Sequence, residues 1–400
     1  MSETRTLSVI YKDRIVGRLA EMSDRRIAFQ YSDEWLKKGF AISPLSLPLR
    51  EGVFVPNERS RDRFSGLFGV FADSLPDSWG ELLLDRYLGS LGIRREDVST
   101  LDRLAYTGRA GMGALEYLPA REKDFNFDPA GLNYDKIATE CEKILSSQES
   151  DKLDLIFKIA GSSGGTRPKI LLSEKGKEYI VKFPAKKDPV ISGKREYDYS
   201  LCAKKCGIEM TETGLIPSSL CDGYFKTRRF DRQGRDKIFT VTFAGLLEAD
   251  FRAPSCDYAT FYKLVGMLTR GNKHDAQQMY KIMCFNVLTH NRDDHTKNFS
   301  FIYTDDSGWR LAPAYDLTYS DTYWGEQTTS INGKGKDIKD KDMIDAGKDA
   351  GLSEAFCKDS LDDIKDNIKD ILNYINDKNK KSNAHVLFED RVSEFTGRDM

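Results

Sequence analysis

Asn291-Arg292-Asp293-Asp294-His295-Thr296-Lys297-Asn298 is the stretch whose reading decides the fold. It is polar throughout. Upstream, Tyr280, Ile282, Met283, Val287 and Leu288 recur at helical spacing up to about His290. Downstream, Phe299-Ser300-Phe301-Ile302-Tyr303, a turn at Asp305-Asp306-Ser307-Gly308, and Trp309-Arg310-Leu311 read as a β-hairpin. Ala314-Tyr315-Asp316-Leu317 follows. The order is helix, polar loop, hairpin, Asp. A hairpin folds back, so Asp316 is expected to return to the neighbourhood of Asp293 and Asn298.

Phosphoryl transfer from ATP needs such a set. One carboxylate accepts or orients the proton of the attacking hydroxyl, while an amide oxygen and a second carboxylate hold Mg2+ against the phosphates. Asp293 fits the first role. Asn298 and Asp316 supply the hard oxygen donors that Mg2+ favours. Asp and Asn in a loop usually cap or turn, and one Asp-x-x-x-x-Asn alone would be read that way. The helix before it, the hairpin after it and the terminal Asp make the pattern stronger. His295 has no Cys or second His at ligand spacing, so it reads as a residue that shapes the loop.

The chain N-terminal to this loop offers phosphate-binding groups. Apolar residues flank Gly161-Ser162-Ser163-Gly164-Gly165, whose backbone N–H groups can face anionic oxygens. It is not a Walker A loop, and taken alone it is a tight hairpin turn. Glu178 to Phe183 reads as a strand that carries Lys182 as a phosphate-binding candidate. A strand lysine otherwise faces solvent. Arg195-Glu196-Tyr197 opens a helix that Gly207 stops. Glu196 is either the partner of Lys182 or a first-turn glutamate complementing the helix dipole. Tyr224 to Arg232 reads as a strand, its backbone near Arg228 and Phe230 suited to adenine and Asp231 to ribose.

Composition bounds these readings. The 400 residues suggest two or three domains, and 40% hydrophobic with 31% charged residues is ordinary for a globular protein. A net charge of −2 gives no general drive toward nucleic acid. No apolar run approaches membrane-spanning length. Seven scattered cysteines without Cys-x-x-Cys fit reduced thiols in a cytoplasm.

Thr6 to Phe29 alternates as a strand pair. Pro76 suits the first turn of a helix capped by Asp73 or Ser74, with Leu83, Leu84, Tyr87 and Leu88 on its apolar face. Gly108 to Leu115 is a glycine-rich turn entering a strand, because no helix start follows it to receive an anion. Residues 332–350, rich in Gly, Lys and Asp, read as a loop. Leu361, Ile364, Ile368, Ile371, Leu372 and Ile375 recur at helical spacing. These features divide the chain into residues 1–122, 123–232 and 233–400.

Taken together the motifs resemble the HipA family of bacterial toxin kinases. The resemblance rests on Leu75-Pro76-Asp77-Ser78-Trp79-Gly80, Ile159-Ala160-Gly161, Ile180-Val181-Lys182-Phe183-Pro184, Arg229-Phe230-Asp231-Arg232, Asp293-x-His295-x-Lys297-Asn298 and Tyr315-Asp316-Leu317. It implies an α+β, two-lobed protein-kinase-like fold: an N-terminal β-rich subdomain, a kinase N-lobe with the Gly-rich loop, and a helical C-lobe. The Asp-x-His-x-x-Asn loop is also similar to that of phosphatidylinositol kinases. The family implies an ATP- and Mg2+-dependent serine/threonine kinase acting as a toxin. Its implied partners are a helix-turn-helix, HipB-like antitoxin, operator DNA reached through that antitoxin, and a protein substrate such as an aminoacyl-tRNA synthetase. Family members autophosphorylate a serine in or near the Gly-rich loop. The position before Ile159 is Lys158 here, so Ser163, with Ser162 as alternative, is the expected acceptor. A lipid or small-molecule phosphotransferase and a non-catalytic co-repressor subunit are the competing readings.

Overall fold

The computed structural model describes residues 5–121, 131–161, 165–234, 236–253, 256–321, 325–376 and 386–396. The chain forms two compact units, Met1–Lys186 with Asp231–Ala249, and Lys187–Phe230 with Asp250–Met400.

The first unit is built on a five-stranded antiparallel sheet. Its strands are β1 (Thr6–Tyr11), β2 (Arg14–Glu21), β3 (Ile27–Tyr31), β4 (Val53–Phe54) and β5 (Glu116–Leu118), in the order β4-β3-β2-β1-β5. Alternation buries Leu7 and Val9 of β1 with Leu19 of β2, and Val16 is buried where the β1–β2 register shifts. Aromatic side chains thicken this core: Tyr11 meets Trp35 edge-on at 5.8 Å, and Phe40 meets Phe239 at 5.1 Å.

The helix Ser78–Ser90 buries Leu83, Leu84, Tyr87 and Leu88, as its spacing predicts. Its cap differs from expectation. Asp77 is the N-cap residue, and its carboxylate serves Gly165 N instead of its own helix. Asp73 is spent elsewhere, accepting hydrogen bonds from Thr242 N at 2.7 Å and Thr242 Oγ1 at 2.8 Å. Tyr87 stacks on Phe157 at 4.3 Å, which docks the helix Leu153–Ala160 and so sets where Gly161 lies. The strands β6 (Lys169–Glu174) and β7 (Lys177–Lys182) then pair antiparallel.

The second unit is mostly helical. It begins with the helix Ser192–Lys205 and the antiparallel pair β8 (Thr213–Ile216) and β9 (Tyr224–Arg228). The helices Tyr258–Leu268 and Lys273–Leu288 lead into the polar loop, and the hairpin Ser300–Thr304/Gly308–Leu311 follows it. The region 332–350 corrects the loop expected there: Asp340–Asp349 is a helix. Tertiary packing outweighs its composition. Met343 and Ala346 are buried, and Gly347 lies so close to Tyr280 and Cys357 that a Cβ would sit 2.6 Å from each. Asp342 also accepts from Lys339 N at 2.9 Å, closing the first turn. The C-terminal apolar repeat forms a helix, a 3-10 turn and a second helix, with Leu361, Ile364, Ile368 and Ile371 buried. The mixed α/β architecture, with its N-terminal sheet and helical C-terminal part, is the one expected. Among the described residues no helix is long and apolar enough to cross a membrane.

Candidate active site

The helix Lys273–Leu288 ends where His290 takes a left-handed φ of 54°, and Asn291 N reaches back to Asn286 O at 2.9 Å. The chain then enters the polar loop. Asp293 and Asp294 are neighbours in sequence and opposites in environment. The Asp293 side chain is 46% exposed, whereas Asp294 is 1% exposed. Asp294 accepts from Tyr258 Oη at 2.9 Å, Gln327 Nε2 at 3.2 Å and Thr329 N at 3.1 Å. Burial pushes its carboxyl up to about 7, against the pull of these donors.

His295 caps the short 3-10 turn Thr296–Asn298. Its Nδ1 accepts from Lys297 N at 3.2 Å, which puts the ring proton on Nε2, 3.8 Å from Asp293 Oδ1. The ring also lies 5.6 Å from Phe251. Asn298 closes the loop from the other end. Its Nδ2 donates to the backbone oxygen of Asp293 at 2.7 Å. Among the described residues no group donates to Asn298 Oδ1, so a hard oxygen is held in place and left out of the protein's own bonding.

The hairpin is pinned to the preceding helix by Arg310, whose Nε lies 2.7 Å from Asp275 Oδ2 and whose second contact to Oδ1 is 3.1 Å. Asp275 is buried, so losing Arg310 would strand a carboxylate at a cost of about 3–5 kcal/mol. Beyond the hairpin the chain runs back along the loop. Ala312 N donates to Ser300 O at 2.9 Å, and Ser320 N to His290 O at 3.0 Å. Tyr315 Oη lies 2.6 Å from Ser300 Oγ and donates to Lys297 O at 2.8 Å. Asp316 comes next, at a left-handed φ of 54°, a conformation costly for most residues and tolerated best by Asn and Asp. The structure therefore brings Asp293, Asn298 and the Asp316 segment together. Oxygen donors of this type fit Mg2+. Phe230 joins the same neighbourhood, its ring 5.5 Å from that of Tyr315.

Arg228 ends β9, with its backbone N donating to Glu212 O at 2.8 Å and its O accepting from Thr211 Oγ1 at 2.8 Å. Glu196 is 3% exposed. Its helix starts at Ser192, so Glu196 lies in the second turn and the first-turn dipole reading does not apply.

In the first unit, Lys182 ends β7 directly opposite Lys169. Gly161 has a φ of 57°, and a Cβ there would meet Leu171 at 2.8 Å, so only glycine fits. Gly165 is fixed by Asp77 and by Trp79 N, which donates to Gly165 O at 3.3 Å. Ser162, Ser163 and Gly164 lie outside the described residues. Asp231 is 2% exposed, and its Oδ2 accepts from Gly113 N at 2.7 Å and pairs with Arg232 at 3.0 Å, so its carboxylate holds the glycine-rich turn.

Sequence reasoning passed over Asp294. Its signal would have been the polar run Gln327-Thr328-Thr329, which supplies two of its three donors, but nothing local links that run to residue 294.

Comparison with known proteins shows the family. Residues 161–372 match the HipA-like C-terminal domain, and residues 7–118 match the HipA N-terminal domain. The chain belongs to the HipA family. Y4mE of Sinorhizobium fredii is 28% identical over 353 residues, covering 80% of this chain and 78% of that protein. The serine/threonine-protein kinase toxin HipA of Shewanella oneidensis is 25% identical over 359 residues, covering 80% and 77%. The solved HipA, HipB and operator DNA complex of Shewanella oneidensis matches with a TM-score of 0.67 at 19% identity, over 98% of this chain and 99% of that one. The chain thus has the HipA fold and relatives named as kinases.

Proposed function

We propose that this chain is an ATP- and Mg2+-dependent serine/threonine protein kinase acting as the toxin of a HipA–HipB-type pair. The observation that carries the reading is Asn298: its amide nitrogen is tied to the Asp293 backbone while its oxygen accepts from no described group.

In this reading Asp293 orients the attacking protein hydroxyl and receives its proton. His295, whose Nε2 lies 3.8 Å from Asp293 Oδ1, shapes the loop beside it. Asn298 Oδ1 and the Asp316 carboxylate hold Mg2+, which when bound neutralises phosphate charge. Lys182 and the backbone of Gly161 and Gly165 bind phosphate oxygens. Arg228 and Phe230 border the base. Ser163 as the site of self-modification rests on the sequence, and peptide mass spectrometry after incubation with Mg-ATP tests it.

The partners follow the family. A helix-turn-helix protein of HipB type would neutralise the kinase, and operator DNA would be reached through it. Incubating the purified chain with radiolabelled ATP, Mg2+ and a cell lysate tests the activity. Labelled protein is expected. Label only in lipid or small molecules would move the substrate class, and no label would leave the co-repressor reading.

A further inference from the structure

Asp294 has no part in the chemistry just described, yet it is among the most thoroughly held side chains of the second unit. Five buried residues form a closed ring of hydrogen bonds. Asp294 Oδ2 accepts from Tyr258 Oη at 2.9 Å, and Tyr258 Oη accepts from Asn286 Nδ2 at 3.1 Å. Asn286 Oδ1 accepts from Asn291 Nδ2 at 2.9 Å. Asn291 O accepts from Gln327 Nε2 at 3.1 Å, and the same nitrogen returns to Asp294 Oδ2 at 3.2 Å. All five are at most 7% exposed.

The ring joins four segments: the start of the Tyr258–Leu268 helix, the last turns of the Lys273–Leu288 helix, the polar loop, and the run 327–330. That run lies along the loop as a strap. Thr328 N donates to Arg292 O at 3.1 Å, Thr329 N to Asp294 Oδ1 at 3.1 Å, and Thr329 Oγ1 to Asp294 O. Tyr258 N in turn donates to Ser330 O at 2.9 Å. In its ionised form Asp294 is the acceptor-only member, and donors from both helix and strap converge on it.

We propose that Asp294 is a positioning residue for phosphoryl transfer: by closing this ring it turns the neighbouring Asp293 outward and fixes it there. The proposal rests on the kinase reading above. A reacting carboxylate displaced by about 1 Å loses roughly 100-fold in rate. Asp293 is 46% exposed and its neighbour Asp294 1% exposed, so fixing residue 294 inward fixes the backbone from which the Asp293 side chain projects. Without the ring, Asp293 would keep its chemistry and lose its aim.

The test compares the full-length wild type with Asp294→Ala and Asp294→Asn. Alanine removes every acceptor. Asparagine fills nearly the same volume and keeps one oxygen for Thr329 N. The expected result is a kcat lower by about 100-fold in Asp294→Ala at nearly unchanged KM for ATP, with Asp294→Asn recovering to within about tenfold of wild type. Amide hydrogen exchange across residues 290–299 should quicken in Asp294→Ala and not in Asp294→Asn. Wild-type kcat in folded Asp294→Ala overturns the proposal, as does an effect on KM alone. If alanine prevents folding, Tyr258→Phe replaces it, removing one donor while keeping the buried ring, and it must lower kcat without moving KM. If the wild type transfers no phosphate, the kinase reading fails, and exchange still decides whether Asp294 clamps the loop: unchanged exchange in Asp294→Ala overturns it.

Discussion

Two polar loops of this molecule are each held by a buried aspartate, and they are held in different ways. In the first unit, the turn Gly108 to Gly113 is held by Asp231 and Arg232. Arg232 donates to Gly113 O at 2.7 Å and Gly111 O at 2.9 Å, and its partner Asp231 takes Gly113 N. In the second unit, the loop 291–298 is held by Asp294 through neutral donors, with no cation beside it among the described residues. The first arrangement seals carboxylate and guanidinium against a backbone. The second turns one carboxylate in and leaves its neighbour Asp293 half exposed, beside His295 and the uncommitted oxygen of Asn298. Burial of an aspartate therefore does not by itself mark a site.

The largest expected effect that sharpens this contrast is at Asp316. Asp316→Asn should lower phosphoryl transfer by about 1000-fold, several kcal/mol of transition-state stabilisation, with the fold intact by circular dichroism. Near-normal turnover would take Asp316 out of the metal site. The next effect is on stability. Arg232→Ala should cost about 3–5 kcal/mol in denaturant unfolding, because Asp231 is left buried without its cation. Transfer per folded molecule should hold. Lost transfer at unchanged stability would break the contrast by returning the Asp231–Arg232 pair to the nucleotide.

The third effect is smaller and depends on pH. The folded carboxyl of Asp294, at about 7, stands above its unfolded value near 4. The folded state therefore binds more protons between those values, and this contribution to stability is full below about pH 4 and lost as pH rises through 7. Between pH 5 and pH 7 wild type should lose about 2–3 kcal/mol more than Asp294→Asn does. Parallel pH–stability curves for the two proteins would show that Asp294 is not held as described.

The sequence makes the second loop legible as an order of elements. Helical spacing up to Leu288, the polar run and the alternating hairpin are local patterns, and the structure has them in that order. It cannot tell Asp293 from Asp294. What separates them is a set of partners at residues 258, 327 and 329, each more than thirty residues away. The surroundings of Asp231 are hidden for the same reason, since its partner Gly113 lies 118 residues upstream. The helix Asp340–Asp349 is hidden by its own composition and exists because Tyr280 and Cys357 give Gly347 a place to pack.

The most direct measurement is turnover by purified Asp293→Asn protein with Mg-ATP and a protein acceptor. Side-chain exposure predicts that it folds with wild-type stability, and general-base loss predicts transfer reduced by about 100- to 10,000-fold. A folded Asp293→Asn protein that transfers phosphate at the wild-type rate would contradict the assignment of the loop 291–298 as the catalytic one.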